Sequence, residues 1–145
     1  MTDIVDEHTR SRMMSEIKGK NTKPELKLRR ALHTRGLRYR LHEKKLPGKP
    51  DLVFPKYNAV VFVHGCFWHR HKCCKYTTNP ATRAEFWQNK FRDNVARDQR
   101  NVDALILAGW RVAVVWECEI KANATSISDD ITIWLNSEKE SFGVN

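Results

Sequence analysis

The spacing of apolar positions changes several times along the chain, and each change marks an element. Residues 9–18 read as a short basic helix with Met13, Met14 and Ile17 on one side, closed by Gly19. Those methionines either pack on the core or reach toward a partner. Thr22-Lys23-Pro24-Glu25 starts a second helix: Thr can cap, Pro suits the first turn, and Glu three residues on completes a capping box. Leu28, Ala31 and Leu32 make its apolar stripe, with Leu26 near the edge, and Gly36 is its C-terminal cap. From Leu37 the period drops to two. Leu37, Tyr39 and Leu41 alternate with Arg38 and Arg40, which predicts a half-buried strand. After a basic loop around Leu46-Pro47-Gly48, residues 51–54 form a second strand, 55–58 a turn, and 59–63 a buried strand with His64 at its end.

Beyond a loop at residues 77–80, Thr82 starts a helix through Glu85, Phe86 and Trp87. A second helix, or a kinked continuation, spans residues 93–108, with Val95, Val102, Leu105 and Ile106 as its apolar face. Residues 110–116 are the last buried strand, followed at once by Glu117-Cys118. Residues 128–135 form an amphipathic helix with Ile131, Trp134 and Leu135 inward. This order predicts one α/β domain over residues 1–145, with a central mixed sheet flanked by helices.

Composition agrees with a globular chain, at 41% hydrophobic and 30% charged residues. No apolar run approaches a membrane span, and the N-terminus lacks the apolar stretch of a signal peptide, so a cytoplasmic location is expected. The net charge of +9 is uneven: residues 1–50 hold 14 Lys and Arg against 6 Asp and Glu, whereas residues 51–145 hold 12 against 11. A basic lobe on a nearly neutral one points to a polyanion such as nucleic acid, with solubility as the bland alternative.

Candidate chemistry is concentrated in His64-Gly65-Cys66-Phe67-Trp68-His69-Arg70-His71-Lys72-Cys73-Cys74. Clustered thiols and imidazoles are the ligands zinc prefers, and a reducing cytosol argues for metal before disulfide. Cys66, His71 and Cys73 are close in sequence; Cys118 reaches them if the last strand lies beside strand 59–63. Cys74 competes with Cys73, and buried free thiols are the alternative to zinc. Asp51, opening a strand after Pro50, is a carboxylate suited to a hard cation. His69 and His64 are candidates to move a proton, and Asp98 could orient one of them or simply pair with Arg97 or Arg100. Capping alone accounts for Glu25. Phe67, Trp68 and Trp87 are either core or platforms for DNA bases.

These residues resemble one family closely, the very-short-patch-repair DNA mismatch endonucleases. The likeness runs from Thr9-Arg10-Ser11 to about Cys118. It includes Leu46-Pro47-Gly48-Lys49-Pro50-Asp51, His64-Gly65-Cys66-Phe67-Trp68-His69, Pro80-Ala81-Thr82-Arg83-Ala84-Glu85-Phe86-Trp87, Asn94-Val95-Ala96-Arg97-Asp98 and Trp116-Glu117-Cys118. The resemblance implies a restriction-endonuclease-like core and a structural zinc site. It implies nicking of double-stranded DNA 5′ to the thymine of a T·G mismatch left by deamination of 5-methylcytosine. By the same resemblance Asp51 and the Val63 backbone carbonyl hold Mg2+, Glu25 acts through water at that ion, His69 is the acid–base group, and His64 and Asp98 complete the site. Cys66, His71, Cys73 and Cys118 match the zinc ligands, and Phe67, Trp68 and Trp87 match aromatics that wedge beside the mismatch. Residues 1–20 become an arm along the minor groove. A monomer suffices for a single nick, and mismatch-repair proteins are possible partners. The rivals are a zinc-stabilised DNA-binding module without catalysis and a related nuclease with another substrate.

Overall fold

A computed structural model of the chain describes residues 21–72 and 74–144, so the expected helix at 9–18 and the arm at 1–20 lie outside the described residues. Helix α1 (Lys23–Thr34) begins as its sequence dictates. Thr22 accepts a hydrogen bond from the Glu25 amide at 3.3 Å, and Leu28 and Leu32 are fully buried. The Glu25 carboxylate does not close the capping box. It turns inward, 2% exposed, toward Arg29 and His42.

Four strands expected from the pattern form, and a fifth joins them. The sheet order is β1 (Arg40–Leu41), β2 (Leu52–Phe54), β3 (Ala59–His64), β4 (Arg111–Trp116), β5 (Ser141–Phe142). The first two pairings are antiparallel and the last two parallel, so the sheet is mixed and the class α/β. Between β2 and β3 a single 3₁₀ turn at Pro55–Tyr57 ends on Asn58, whose left-handed φ of 52° suits an asparagine. The first strand is shorter than the alternation predicts: Leu37 is buried, but Leu41 is 40% exposed because only two residues pair at this sheet edge.

Helices cover both faces. Helix α3 (Ala84–Leu107) is one continuous helix where the sequence leaves open a break, and it starts after Arg83, in a left-handed conformation. The polar stretch that suggests a break is its solvent face; Phe91, Asn94, Val102 and Leu105 point inward, whereas Val95 is 45% exposed. Helix α4 (Glu117–Leu135) follows β4 without a turn and kinks at Asn123. The tail pattern shows only its second half. Ile131, Trp134 and Leu135 are buried against α1 and one face of the sheet, and Val102 and Leu105 pack with Val60 and Val112 on the other. Removing a fully buried side chain such as Leu28 would cost about 2–5 kcal/mol. Among the described residues no helix is long and apolar enough to cross a membrane.

Candidate active site and metal clusters

The parallel pairing of β3 with β4 brings His64 opposite Trp116, so everything following each strand emerges at one end of the sheet. Among the described residues, three groups of potential ligands gather there and at the adjoining β2 end.

The first is soft. A four-residue helical turn, α2 (Cys66–His69), follows β3, and Arg70 then reverses the chain with a left-handed φ of 56°. His71 comes back beside Cys66, with Nδ1 3.7 Å from that sulfur and 3.3 Å from Sγ of Cys118 in the first turn of α4. Cys74 completes the group, with one ligand atom of each residue within 4.8 Å of the others. Cys73, the ligand expected from sequence, lies outside the described residues. Burial pushes the Cys66 thiol up to about 12 and raises Cys118, while a hydrogen bond from the Tyr76 backbone brings Cys74 down to about 7. Three sulfurs and one imidazole are a donor set for zinc, which binds thiolates and holds them deprotonated.

The second group is a pair of stacked imidazoles. His64 and His69 lie parallel, centroids 3.9 Å apart and planes 6° apart. Asp98 on α3 bonds His69 Nδ1 at 2.6 Å, while Arg97 turns to Asn94. The spacing alone favours an Arg partner for Asp98, and tertiary packing overrides it. The Asp98 bond sets the tautomer with the proton on Nδ1, leaving Nε2 to act. Burial, and then the neighbouring His69, lowers His64 well below the ordinary 6.5, so this ring stays neutral near pH 7.

The third is hard. Glu25 from α1, His42 just after β1, and Asp51 just before β2 converge. Asp51 Oδ2 accepts the Val63 amide at 2.7 Å, tying it to the end of β3 one residue before His64. Burial, with the charge of Glu25 adding to it, pushes Asp51 up to about 7 from 3.8, against the lowering pull of the Val63 bond. A buried and a partly buried carboxylate side by side fit a hard divalent cation, which would relieve Asp51.

Trp116 joins the groups: His71 stacks on it at 4.3 Å and His64 meets its edge at 5.2 Å. Phe67, Trp68 and Trp87 are half-buried and pack on one another and on Phe91, with centroids 5.1–6.1 Å apart. They are neither fully core nor free-standing.

Sequence reasoning missed three residues that build these sites. Glu117 Oε1 accepts the Cys66 amide at 3.2 Å, Asn94 donates to the Trp68 carbonyl at 3.3 Å, and His42 faces both carboxylates. Only His42 had a legible signal: in an antiparallel β1–β2 pair it falls opposite Asp51.

Known proteins with this sequence pattern give the arrangement its identity. The sequence model described as "DNA mismatch endonuclease Vsr" matches residues 2–75, about half of the chain. The chain is 42% identical over 132 residues to the DNA mismatch endonuclease Vsr of Escherichia coli, spanning 91% of this chain and 84% of that one. It is 50% identical over 120 residues to the type II nicking enzyme V.XorIIP of Xanthomonas oryzae pv. oryzae, 83% and 88% of the two chains. It is 46% identical over 124 residues to the type II nicking enzyme V.NmeAIP of Neisseria meningitidis, 86% and 88%. With a matching family model and relatives spanning most of its length, this chain belongs to the DNA mismatch endonuclease Vsr family and is a DNA-cleaving hydrolase.

Proposed function

We propose that this chain is a Mg2+-dependent enzyme that nicks one strand of double-stranded DNA 5′ to the thymine of a T·G mismatch, on a restriction-endonuclease-like core. The observation that carries the reading is the link from Asp51 through the Val63 amide to His64 and so to His69 and Asp98. It sets an acid–base imidazole beside a carboxylate pocket, which is what hydrolysis of a phosphodiester needs. Asp51 and the Val63 carbonyl would hold Mg2+, which supplies charge neutralisation at the scissile phosphate, and Glu25 would act through water at that ion.

The chain's own residues do the rest. Asp98 holds the His69 ring by Nδ1, so Nε2 is presented for proton transfer at the reacting oxygens. His64, neutral and stacked, fixes the plane of that ring without adding a competing charge. Glu25, buried beside Asp51, orients water at the pocket. Cys66, His71 and Cys118 would hold a structural zinc together with Cys73 or Cys74, of which Cys74 stands in the cluster among the described residues. That clamp would fix α2 against α4 and so fix His69. Phe67, Trp68 and Trp87 would wedge beside the mispair, where unstacking is cheapest. An open groove of about 530 Å³ along α1, lined by Arg29, Arg30 and His33 among others, suits backbone phosphates. The enzyme would act as a monomer, with residues 1–20 along the minor groove.

The names of the relatives support cleavage of one strand, since several are nicking enzymes. The test is strand-mapped cutting of T·G, T·A and C·G duplexes in one sequence context. A single cut on the thymine strand of the T·G duplex is expected. Equal cutting of all three would end the mismatch reading, and cuts in both strands would end the nicking one.

A further inference from the structure

We infer that His42 Nε2 is a nitrogen ligand of the divalent cation held by Asp51 beside Glu25, so that this is a mixed nitrogen–oxygen site and not an all-oxygen one. The inference rests on the reading of Asp51 as a metal ligand and adds a residue to it.

Three features of His42 lead there. Its Nε2 is shut off from solvent yet makes no aligned hydrogen bond. The nitrogen lies 3.1 Å from Glu25 Oε2, a close distance with the wrong direction for N–H···O. That oxygen accepts from Arg29 Nη1 at 3.1 Å, so its approach to His42 leaves Nε2 without a partner of its own.

The backbone is committed to this placement. His42 has a left-handed φ of 49°, a conformation that residues other than Gly and Asn adopt at some cost. Its amide donates to the Asp51 carbonyl at 3.0 Å, which holds this backbone beside Asp51. Across the ring, Nδ1 is 3.7 Å from Asp51 Oδ1, beyond hydrogen-bond range, while Oδ2 is taken by the Val63 amide. Glu25, His42 and Asp51 each still place one possible ligand atom within 4.8 Å of the others.

An imidazole whose Nε2 is shut off from solvent changes which ion the pocket prefers. Carboxylates and water suit Mg2+, whereas imidazole strengthens binding of first-row transition ions. His42 would raise affinity for Mn2+ more than for Mg2+.

The test uses zinc-loaded full-length protein and Mn2+ as the probe. Electron spin-echo modulation reads nitrogen bonded to the bound ion, and loss of the free Mn2+ resonance reads affinity. Wild type should show ¹⁴N modulation from one imidazole. His42→Gln and His42→Asn should both lose it and bind Mn2+ about tenfold or more weakly, with a smaller change for competing Mg2+. Asn tolerates the left-handed backbone, so the second variant guards against a fold defect. Wild type without ¹⁴N modulation, or either variant retaining it, would overturn the assignment. Asp51→Ala separates the two readings. If it still binds Mn2+ as wild type does, the site itself is misplaced; if it loses Mn2+ while the His42 variants bind normally, only the His42 ligand is wrong.

Discussion

Two of the three ligand clusters among the described residues make a useful pair because their chemistry is opposed. One is soft: three sulfurs and an imidazole from Cys66, His71, Cys74 and Cys118, half of them drawn from a loop and one from the far strand's end. The other is hard: Glu25 and Asp51, with His42 between them. The soft group joins a short loop to the first turn of α4, so its value lies in closure. The hard group is mounted on α1 and on residues flanking β1 and β2. On the proposed reading the soft group would clamp the loop that carries His69, and the hard one would offer carboxylate oxygens to a cation. A closed four-ligand zinc site is structural, whereas an oxygen pocket near an imidazole can take part in reaction.

The largest effect expected from breaking this contrast is at the soft cluster. Removing zinc, or changing Cys118 to Ala, should lower stability by several kcal/mol and abolish nicking together. Thermal unfolding with zinc analysis checks it, and an unchanged midpoint in zinc-free protein would contradict the clamp. Next comes the imidazole pair that stands between the clusters. Asp98→Asn should keep the fold and the zinc but reduce nicking by ~10²-fold or more, because Nδ1 loses the acceptor that sets its tautomer. Single-turnover nicking measures this; a rate within about threefold of wild type would make Asp98 a surface partner after all.

The smallest effect is the pH dependence of the cation-free pocket. Asp51 is raised to about 7 in the folded protein from 3.8, so between those values the native state holds a proton that the unfolded state has released. Its contribution is present at low pH and is lost as pH rises toward about 7. His64 runs the other way: its folded value is lowered, so its contribution is present above about 6.5 and is lost as pH falls below that. Comparing wild type with Asp51→Asn isolates the carboxylate. The stability of the Asp51→Asn variant relative to wild type should increase from pH about 4.5 to about 7.5, on the order of a few kcal/mol. A difference that stays constant with pH would show that the pocket does not strain Asp51.

Much of this contrast was legible in the chain because its ligands are rare residue types. Cys and His packed into eleven residues announce a soft site, and Asp51 after Pro50 at a strand start marks a carboxylate position. Strands β2, β3 and β4 followed from unbroken apolar runs. What stayed hidden depends on contacts far apart in sequence. Glu25 satisfies a local capping pattern fully, so nothing local says that its side chain turns away from the cap. Asp98 sits among arginines, and only the packing of α3 against α2 picks His69 for it. His42 is passed over among the charged residues of a basic loop, although an antiparallel β1–β2 pair puts it opposite Asp51. The start of α4 was missed because β4 runs into it with no turn residue; Glu119 caps the junction by accepting the Trp116 amide at 3.1 Å. The two residues of β5 are too few to show any period.

The claim that the two clusters hold different metals with different tasks is tested most directly by stripping loosely held cations from zinc-loaded protein and assaying a T·G duplex. The account predicts no cutting until Mg2+ is added, then a single nick on the thymine strand, with zinc content unchanged throughout. Asp51→Ala should stay silent at any Mg2+ concentration while keeping its zinc. Cutting by the stripped protein, or normal cutting by Asp51→Ala, would contradict it.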